Sequence, residues 1–497
     1  MNANCLRTVI ERAKPGAIEI RPAMLVLGAA FVCFLTSPLS GRPLRVNPQN
    51  PLYFDNGSGK AFYLAGHQIF VDLQDNSFNK ALIYNNRRTL DWNQYLDFVT
   101  ARNFNYIRNW IIWSTGSGSM APVNKAIARP MPYKRVEGHG KANDGGNKFD
   151  LEQFDETFFS RMRSRCEDLQ NRGVYVSIML FEVYGFLEGE ACGDPRQTLW
   201  DGNVFNRANN INGIDTDYNN DGKGIEFFYT HDKRVLDLQK RYVRKVIETV
   251  GDLDNVFYEI ANELYAPQWQ YGMIEFIKKY EQSRPKQHLV LMSPGGRTRS
   301  GGWKLMQPEL VTKSPVDCFA VAGSWNAGAY GKKNPPANDA GKPGIVDMDH
   351  VSPGSSNVAY VWTALTRGYH FSLYDKPFEK PDMEGPVWRC IRSNVSQAAA
   401  YAKKMDLNNA HPRTDLATTG FCLACPGEQY IVYQPKSGPF EVSGLIPRAD
   451  YLYEWFDTDR HQVVEKSRFT SSAASKSFTP LKKGMVLFLE RRAAGQR

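Results

Sequence analysis

Histidine is scarce in this sequence, with 8 in 497 residues, and cysteine is little better, also 8. Cys422-x-x-Cys425 has no second C-x-x-C or H-x-x-H to complete a four-ligand zinc set, so no structural zinc is expected. No dense Lys/Arg run appears despite a net charge of +9, which argues against a nucleic-acid partner. No G-x-G-x-x-G or G-x-x-x-x-G-K-[ST] follows a strand-like segment, which removes support for nucleotide-binding folds. No solenoid period is visible, and long apolar runs are missing with one exception.

That exception is the run from Met24 to about Leu35, preceded by Arg7, Arg12, Lys14 and Arg21. It is short for a membrane span and suits the core of a signal peptide. No A-x-A-like pair follows it, and Pro38 interrupts the region. Residues 1–40 therefore read as a signal peptide, with an uncleaved N-terminal membrane anchor as the alternative. Either puts the rest of the chain outside the cytoplasm: periplasmic, secreted or cell-surface. Cys5 and Cys33 fall in this leader; Cys166, Cys192, Cys318, Cys390, Cys422 and Cys425 remain, as buried thiols or with a local disulfide.

What is present is a long alternation. Strand-like apolar runs occupy 61–68, 106–113, 174–181, 255–261, 288–294, 318–325, 344–350 and 370–375. Near-continuous apolar runs suit strands buried on both faces of a parallel sheet. Between them, Leu151, Phe154, Phe158, Met162, Cys166 and Leu169 recur at helical steps within 151–173, ahead of Gly173 as a stop. Val235, Leu238, Tyr242, Val246 and Val250 do the same within 234–250, and Asp91 precedes a third helical segment. Eight such units predict a (β/α)8 TIM barrel over 45–405. Long insertions at 114–150 and 183–233 would sit at its C-terminal rim, where barrel active sites are built. Short strands separated by turn residues from 410 to 497 predict a small antiparallel β-sandwich.

The stretch NVFYEIANELY (255–265) ends a buried strand in Asn262 and Glu263. Alternation puts Glu259, Ala261 and Glu263 on one face, so Glu263 would project into the barrel mouth beside Asn262. A carboxyl group desolvated there favours its neutral form and is able to protonate a leaving oxygen. Glycoside chemistry needs a second carboxylate. GIVDMDH (344–350) ends the seventh strand in Asp347 and Asp349, with His350 beside them. Asp349 lies nearer the strand end. Inward aspartates there are costly unless used or paired. Arg108 on the second strand would orient such a carboxylate, or else pair with Glu259 inside the barrel. His67 and Glu182 end the first and third strands and are candidates for substrate contact. Trp325 and Tyr374 would stack on sugar rings or simply pack. DTDYNNDGKG (215–224) begins like an EF-hand loop, but its twelfth position is Phe228, so that motif fails.

YEIANE followed by a strand-seven carboxylate resembles clan A, the TIM-barrel retaining glycoside hydrolases. With NPLYFDNGSGKAFYLAG, LTRGYHFSLYD, DLATTGFCLA, YIVYQP and WFDT, the chain is similar to cellulase-like bacterial members whose C-terminal domain is labelled collagen-binding. The resemblance implies that Glu263 is the acid/base and that the nucleophile ends strand seven. It implies no cofactor and a poly- or oligosaccharide substrate. Clan A normally has Glu as nucleophile; Asp347 or Asp349 here is one methylene shorter. A non-catalytic carbohydrate-binding protein on the same scaffold, or a surface interaction protein working through residues 410–497, is the alternative reading.

Overall fold

The computed structural model describes residues 42–76, 90–115, 128–187, 199–305, 307–321, 335–347, 355–375 and 384–492. The leader, Cys192, Trp325, Asp349 and His350 lie outside the described residues.

Eight parallel strands close into a barrel in sequential order. They are Ala65–Gln68, Tyr106–Asn109, Tyr175–Glu182, Val256–Asn262, Val290–Met292, Cys318–Val321, Gly344–Asp347 and Tyr369–Tyr374, strands one to eight. All are buried on both faces, which explains their apolar composition. Helices Trp92–Ala101, Glu156–Asn171 and Lys233–Val250 each start behind an aspartate, Asp91, Asp155 or Asp232, whose side chain accepts a first-turn backbone N–H. This cap corrects one expectation. The helix expected from 151 begins at Glu156, because Asp155 caps it there; Leu151 and Phe154 belong to strand Phe149–Phe154 instead. That strand pairs antiparallel with Tyr133–Arg135, so the insertion at 114–150 is partly a ribbon rather than a loop. Gly173, at φ 71°, ends the helix as expected.

A three-stranded antiparallel sheet, Arg45–Val46, Phe54–Asp55 and Ala61–Phe62, closes the N-terminal end of the barrel. Phe54 meets Phe257 and His370 there, with ring centroids 6.4 and 4.7 Å apart. Tyr106, Phe257, Leu291 and Ile345 complete this apolar lower half. Gly66 is required at one point, since a Cβ on it would lie 2.3 Å from the Tyr106 ring.

A C-terminal antiparallel sheet domain follows, six-stranded, with the two-stranded sheet Phe440–Ser443 and Ser475–Phe478 packed with it. One core runs from barrel to sheet: Trp362 and Tyr401 pack on Phe456, at 5.5 and 5.6 Å. Asn394 ties the two together, accepting from Trp362 Nε1 and donating to the Thr458 carbonyl. Cys422 and Cys425 share one strand but enter different hydrophobic clusters, so they face opposite sides of the sheet and stay unpaired thiols.

His370 fastens the barrel floor. Its Nδ1 accepts from Leu64 N at 2.9 Å, and its Nε2 donates to Leu52 O at 3.2 Å. A second proton on Nδ1 would face an N–H donor. Burial pushes its pKa down to about 3. Between that value and the unfolded value near 6.5 only the unfolded chain takes up the proton. This contribution is therefore complete above pH 6.5 and lost as pH falls toward 3. Asp72 and Glu182, pushed up to about 7 by burial, give the opposite slope, so His370 must be isolated by difference. The stability advantage of wild type over His370→Asn should shrink by about 2 kcal/mol between pH 7.5 and pH 5. Calorimetric melts of both proteins test this, and a pH-independent difference would refute it.

Candidate active site

The upper half of the barrel interior is polar, and Arg108 organises it. Strand two carries this side chain inward at 1% exposure. A guanidinium has five N–H donors, and here each has an acceptor. Nε donates to Glu259 Oε2 at 2.8 Å and Nη2 to Glu259 Oε1. Nη2 also reaches Asn262 Oδ1 at 2.6 Å, and Nη1 reaches Gln68 Oε1 at 3.1 Å. The fifth bond runs from Nη1 to Asp347 Oδ2. Gln68 Nε2 donates to the other Asp347 oxygen, and Trp110 Nε1 donates to Gln68 Oε1 at 3.3 Å. Strands one, two, four and seven are thus joined across the barrel by one cation. Burial opposes its charge, yet the Glu259 and Asp347 carboxylates outweigh burial and hold it protonated.

Strand four does not alternate strictly to its end. Glu259 and Asn262 both bond Arg108, although they are three residues apart. Glu263 follows at φ 54°, the left-handed region that bulky residues avoid, and is 1% exposed. The strand-five loop holds it there. Arg297 N donates to Glu263 O at 2.7 Å, and Tyr265 N donates to Arg297 O at 2.9 Å. Gly296, at φ 144°, permits this approach: a Cβ on it would lie 2.2 Å from the Glu263 carbonyl. Strain of this kind collects at functional positions.

Glu182, opposite Asn262 in register, accepts from Trp113 N at 3.1 Å and from Gly185 N at 2.9 Å. Burial pushes its pKa up to about 7 against the pull of these amides, and the charge of Glu263 adds to the rise. Tyr374 stacks on Phe70 at 4.5 Å, and Phe70 meets Trp110 at 4.2 Å, forming an aromatic wall beside Gln68. Asp72 accepts from Asn109 and Trp110 N and so fixes the end of strand two.

The structure therefore brings together Arg108, Asn262, Glu263, Glu182, Asp347 and Tyr374. Arg108 meets both expectations at once, pairing with Glu259 and holding a strand-seven aspartate. It has no N–H left for substrate, so it positions other groups. His67 is a correction. It points out of the barrel into the helix layer, between Tyr95 Oη and Asp375 Oδ2 at 2.9 Å each, and is fully buried. Gln68, its neighbour, is the inward residue, and sequence reasoning missed it. Its phase is set by strand pairing, which the sequence does not show: Gln68 lies in register with the inward Arg108. In the loop at 215–224, Asp217 and Asn219 accept backbone N–H groups of Asp221 and Gly222, which folds the turn.

No curated protein sequence matches this chain. Residues 128–297 match a family described as a domain of unknown function, DUF6298. Solved structures are similar over nearly the whole chain. A protein from Bacteroides vulgatus ATCC 8482 is 13% identical, with a TM-score of 0.58 over 91% of this chain and 83% of its own. A glycoside hydrolase family 5 protein from the same organism is 12% identical, with a TM-score of 0.53 over 91% and 94%. The barrel and C-terminal sheet are thus a fold shared with these solved structures. A further glycoside hydrolase, 14% identical, gives a TM-score of 0.53 over 91% and 98%.

Arg108→Met would leave Glu259 and Asp347 buried without their shared cation. Breaking one side of such a network costs about 3–5 kcal/mol. Urea unfolding should show that loss, and adding Glu259→Gln should recover part of it. A variant as stable as wild type would mean that the guanidinium does not hold the barrel interior.

Proposed function

We propose that this protein is a glycoside hydrolase acting on a poly- or oligosaccharide, with Glu263 as general acid/base and Asp347 as the second carboxylate. The observation that carries this reading is the hydrogen-bonded path from Asn262 through Arg108 to Asp347, which spans the barrel mouth beside Glu263. Glu263 would protonate the departing glycosidic oxygen. Asp347, held on both oxygens by Gln68 and Arg108, would attack the anomeric carbon from the opposite face. Water activated by Glu263 would then release the sugar. Retention is the outcome proposed, which would need the two carboxyl groups about 5–5.5 Å apart. Glu182 would add a second carboxyl group beside Glu263, and the Tyr374 wall an apolar face for a sugar ring. Asn262, fixed by Arg108, would orient substrate or the neighbouring acid. The apolar leader supports export, which suits a polymeric substrate.

Hydrolysis of a broad panel of polysaccharides and aryl glycosides, comparing wild type with Glu263→Gln, tests this. Loss of at least about a hundredfold is expected, the usual contribution of a general acid. Asp347→Asn should lose as much, and if Asp349→Asn is the inactive variant instead, the nucleophile role passes to Asp349. Glycan binding without turnover in wild type, unchanged by Glu263→Gln, would replace the hydrolase with a carbohydrate-binding protein.

A further inference from the structure

A hollow of about 650 Å³ lies beside Glu263, between the loops that follow strands three, four and five. Both of its rims are tied to the Glu263 backbone. Tyr265, two residues on, forms one side; Thr298, Arg299 and Ser300 continue from Arg297, the residue that donates to the Glu263 carbonyl. Its size falls within the range of about 300–1,000 Å³ usual for ligand sites.

At its base is Glu226, 1% exposed. Oε1 is served by Asn219 Nδ2 at 3.1 Å and lies 3.5 Å from Arg299 Nε. Oε2 is buried and has no hydrogen-bond donor. A carboxylate oxygen in that state is costly, and natural structures rarely keep one without a use. Arg299, which lies against this carboxylate, has a side chain 59% exposed. The rest of the lining is two tyrosines, Tyr229 and Tyr265, with amides and hydroxyls from Asn219, Gln268, Thr298 and Ser300.

We propose that this hollow is a subsite for a neutral glycosyl residue of the substrate, whose hydroxyl groups donate to the unpartnered oxygen of Glu226. The proposal rests on the hydrolase reading for its place next to the cleaved bond. The chemistry selects the ligand. A carboxylate accepts from vicinal hydroxyls, the guanidinium and amides donate to sugar oxygens, and tyrosine rings cover apolar ring faces. Neutrality follows from the acceptor: Asp221 is paired with Lys223 at 3.8 Å, whereas the buried Glu226 oxygen without a donor calls for a hydroxyl and repels a uronate carboxylate.

The test is calorimetric binding to the full chain carrying Glu263→Gln, so that nothing is consumed. The probes are β-1,4-linked cello-, manno-, xylo- and galactotetraose, with tetragalacturonate as the acidic control. At least one neutral tetrasaccharide should bind, and tetragalacturonate should not. Adding Glu226→Gln should weaken binding by about tenfold or more, the scale of one charged hydrogen bond. Ser300→Trp, a change at an exposed position that fills the hollow, should do the same whatever Glu226→Gln does to folding. Unchanged binding in Ser300→Trp, or binding of the acidic probe alone, or no neutral binding, would overturn the subsite. The two readings fail separately. Undiminished binding in both variants, with wild-type hydrolysis that depends on Glu263, removes the subsite and leaves the hydrolase. Weakened binding in both, with no wild-type hydrolysis of any substrate, keeps the glycan site and removes the hydrolase.

Discussion

A guanidinium inside a barrel has to satisfy five donors at once, and the upper half of this fold is arranged around that demand. Arg108 can be buried only because Gln68, Glu259, Asn262 and Asp347 arrive from three other strands, one, four and seven. Each acceptor must sit at the right height on its strand, which fixes the relative shear of strands one, two, four and seven. Buried ionic networks add little net stability compared with apolar packing of the same volume. Here stability comes from elsewhere, from the aromatic lower half around Phe54, Tyr106 and Phe257 and from the neutral His370 that fastens the floor. The division lets the mouth be polar without loosening the barrel.

The number and order of strands were legible because strands covered by helices on both sides must be apolar along their length. The path of individual side chains was less so. Alternation put Glu259, Ala261 and Glu263 on one face, whereas Glu259 and Asn262 share Arg108 and Glu263 sits in a left-handed turn. Nothing local announces that turn, since its cause is distant in sequence: Gly296 and Arg297 press against the Glu263 carbonyl. Phase between strands was equally hidden. His67 and Gln68 both end strand one, and only pairing with Tyr106–Asn109 decides which looks inward. The 114–150 insertion read as loop because its strands are short and rich in turn residues. They exist through pairing with Phe149–Phe154 rather than through their own propensity.

The C-terminal sheet is bound to the barrel by the same physics that builds the barrel. Trp362 from helix Ser355–Thr366 and Tyr401 from helix Pro386–Lys404 bury their rings on Phe456, and Asn394 satisfies polar groups on both sides. An interface with a continuous apolar core and satisfied hydrogen bonds favours a fixed brace over a swinging module. Asn50 adds to this, since its side chain donates to the Leu407 and Ala410 carbonyls and so ties the connecting segment to the barrel's N-terminal end.

What remains to be explained is the crowding of carboxyl groups at one end of the molecule. Asp72, Glu182, Glu259, Glu263 and Asp347 all lie at or near the strand C-termini, with Arg108 as the cation among them. Asp72 and Glu182 are pushed up to about 7 by burial, and for Glu182 the charge of Glu263 adds to the rise. Asp72 and Glu182 therefore take up protons readily near neutral pH. Arg108 breaks the symmetry by bonding Asp347 and Glu259 while leaving Glu182 to backbone amides. Arg108, placed off-centre, thus orients a carboxylate on one side of the mouth and leaves Glu182 apart on the other, an asymmetry that the proposed hydrolysis would use.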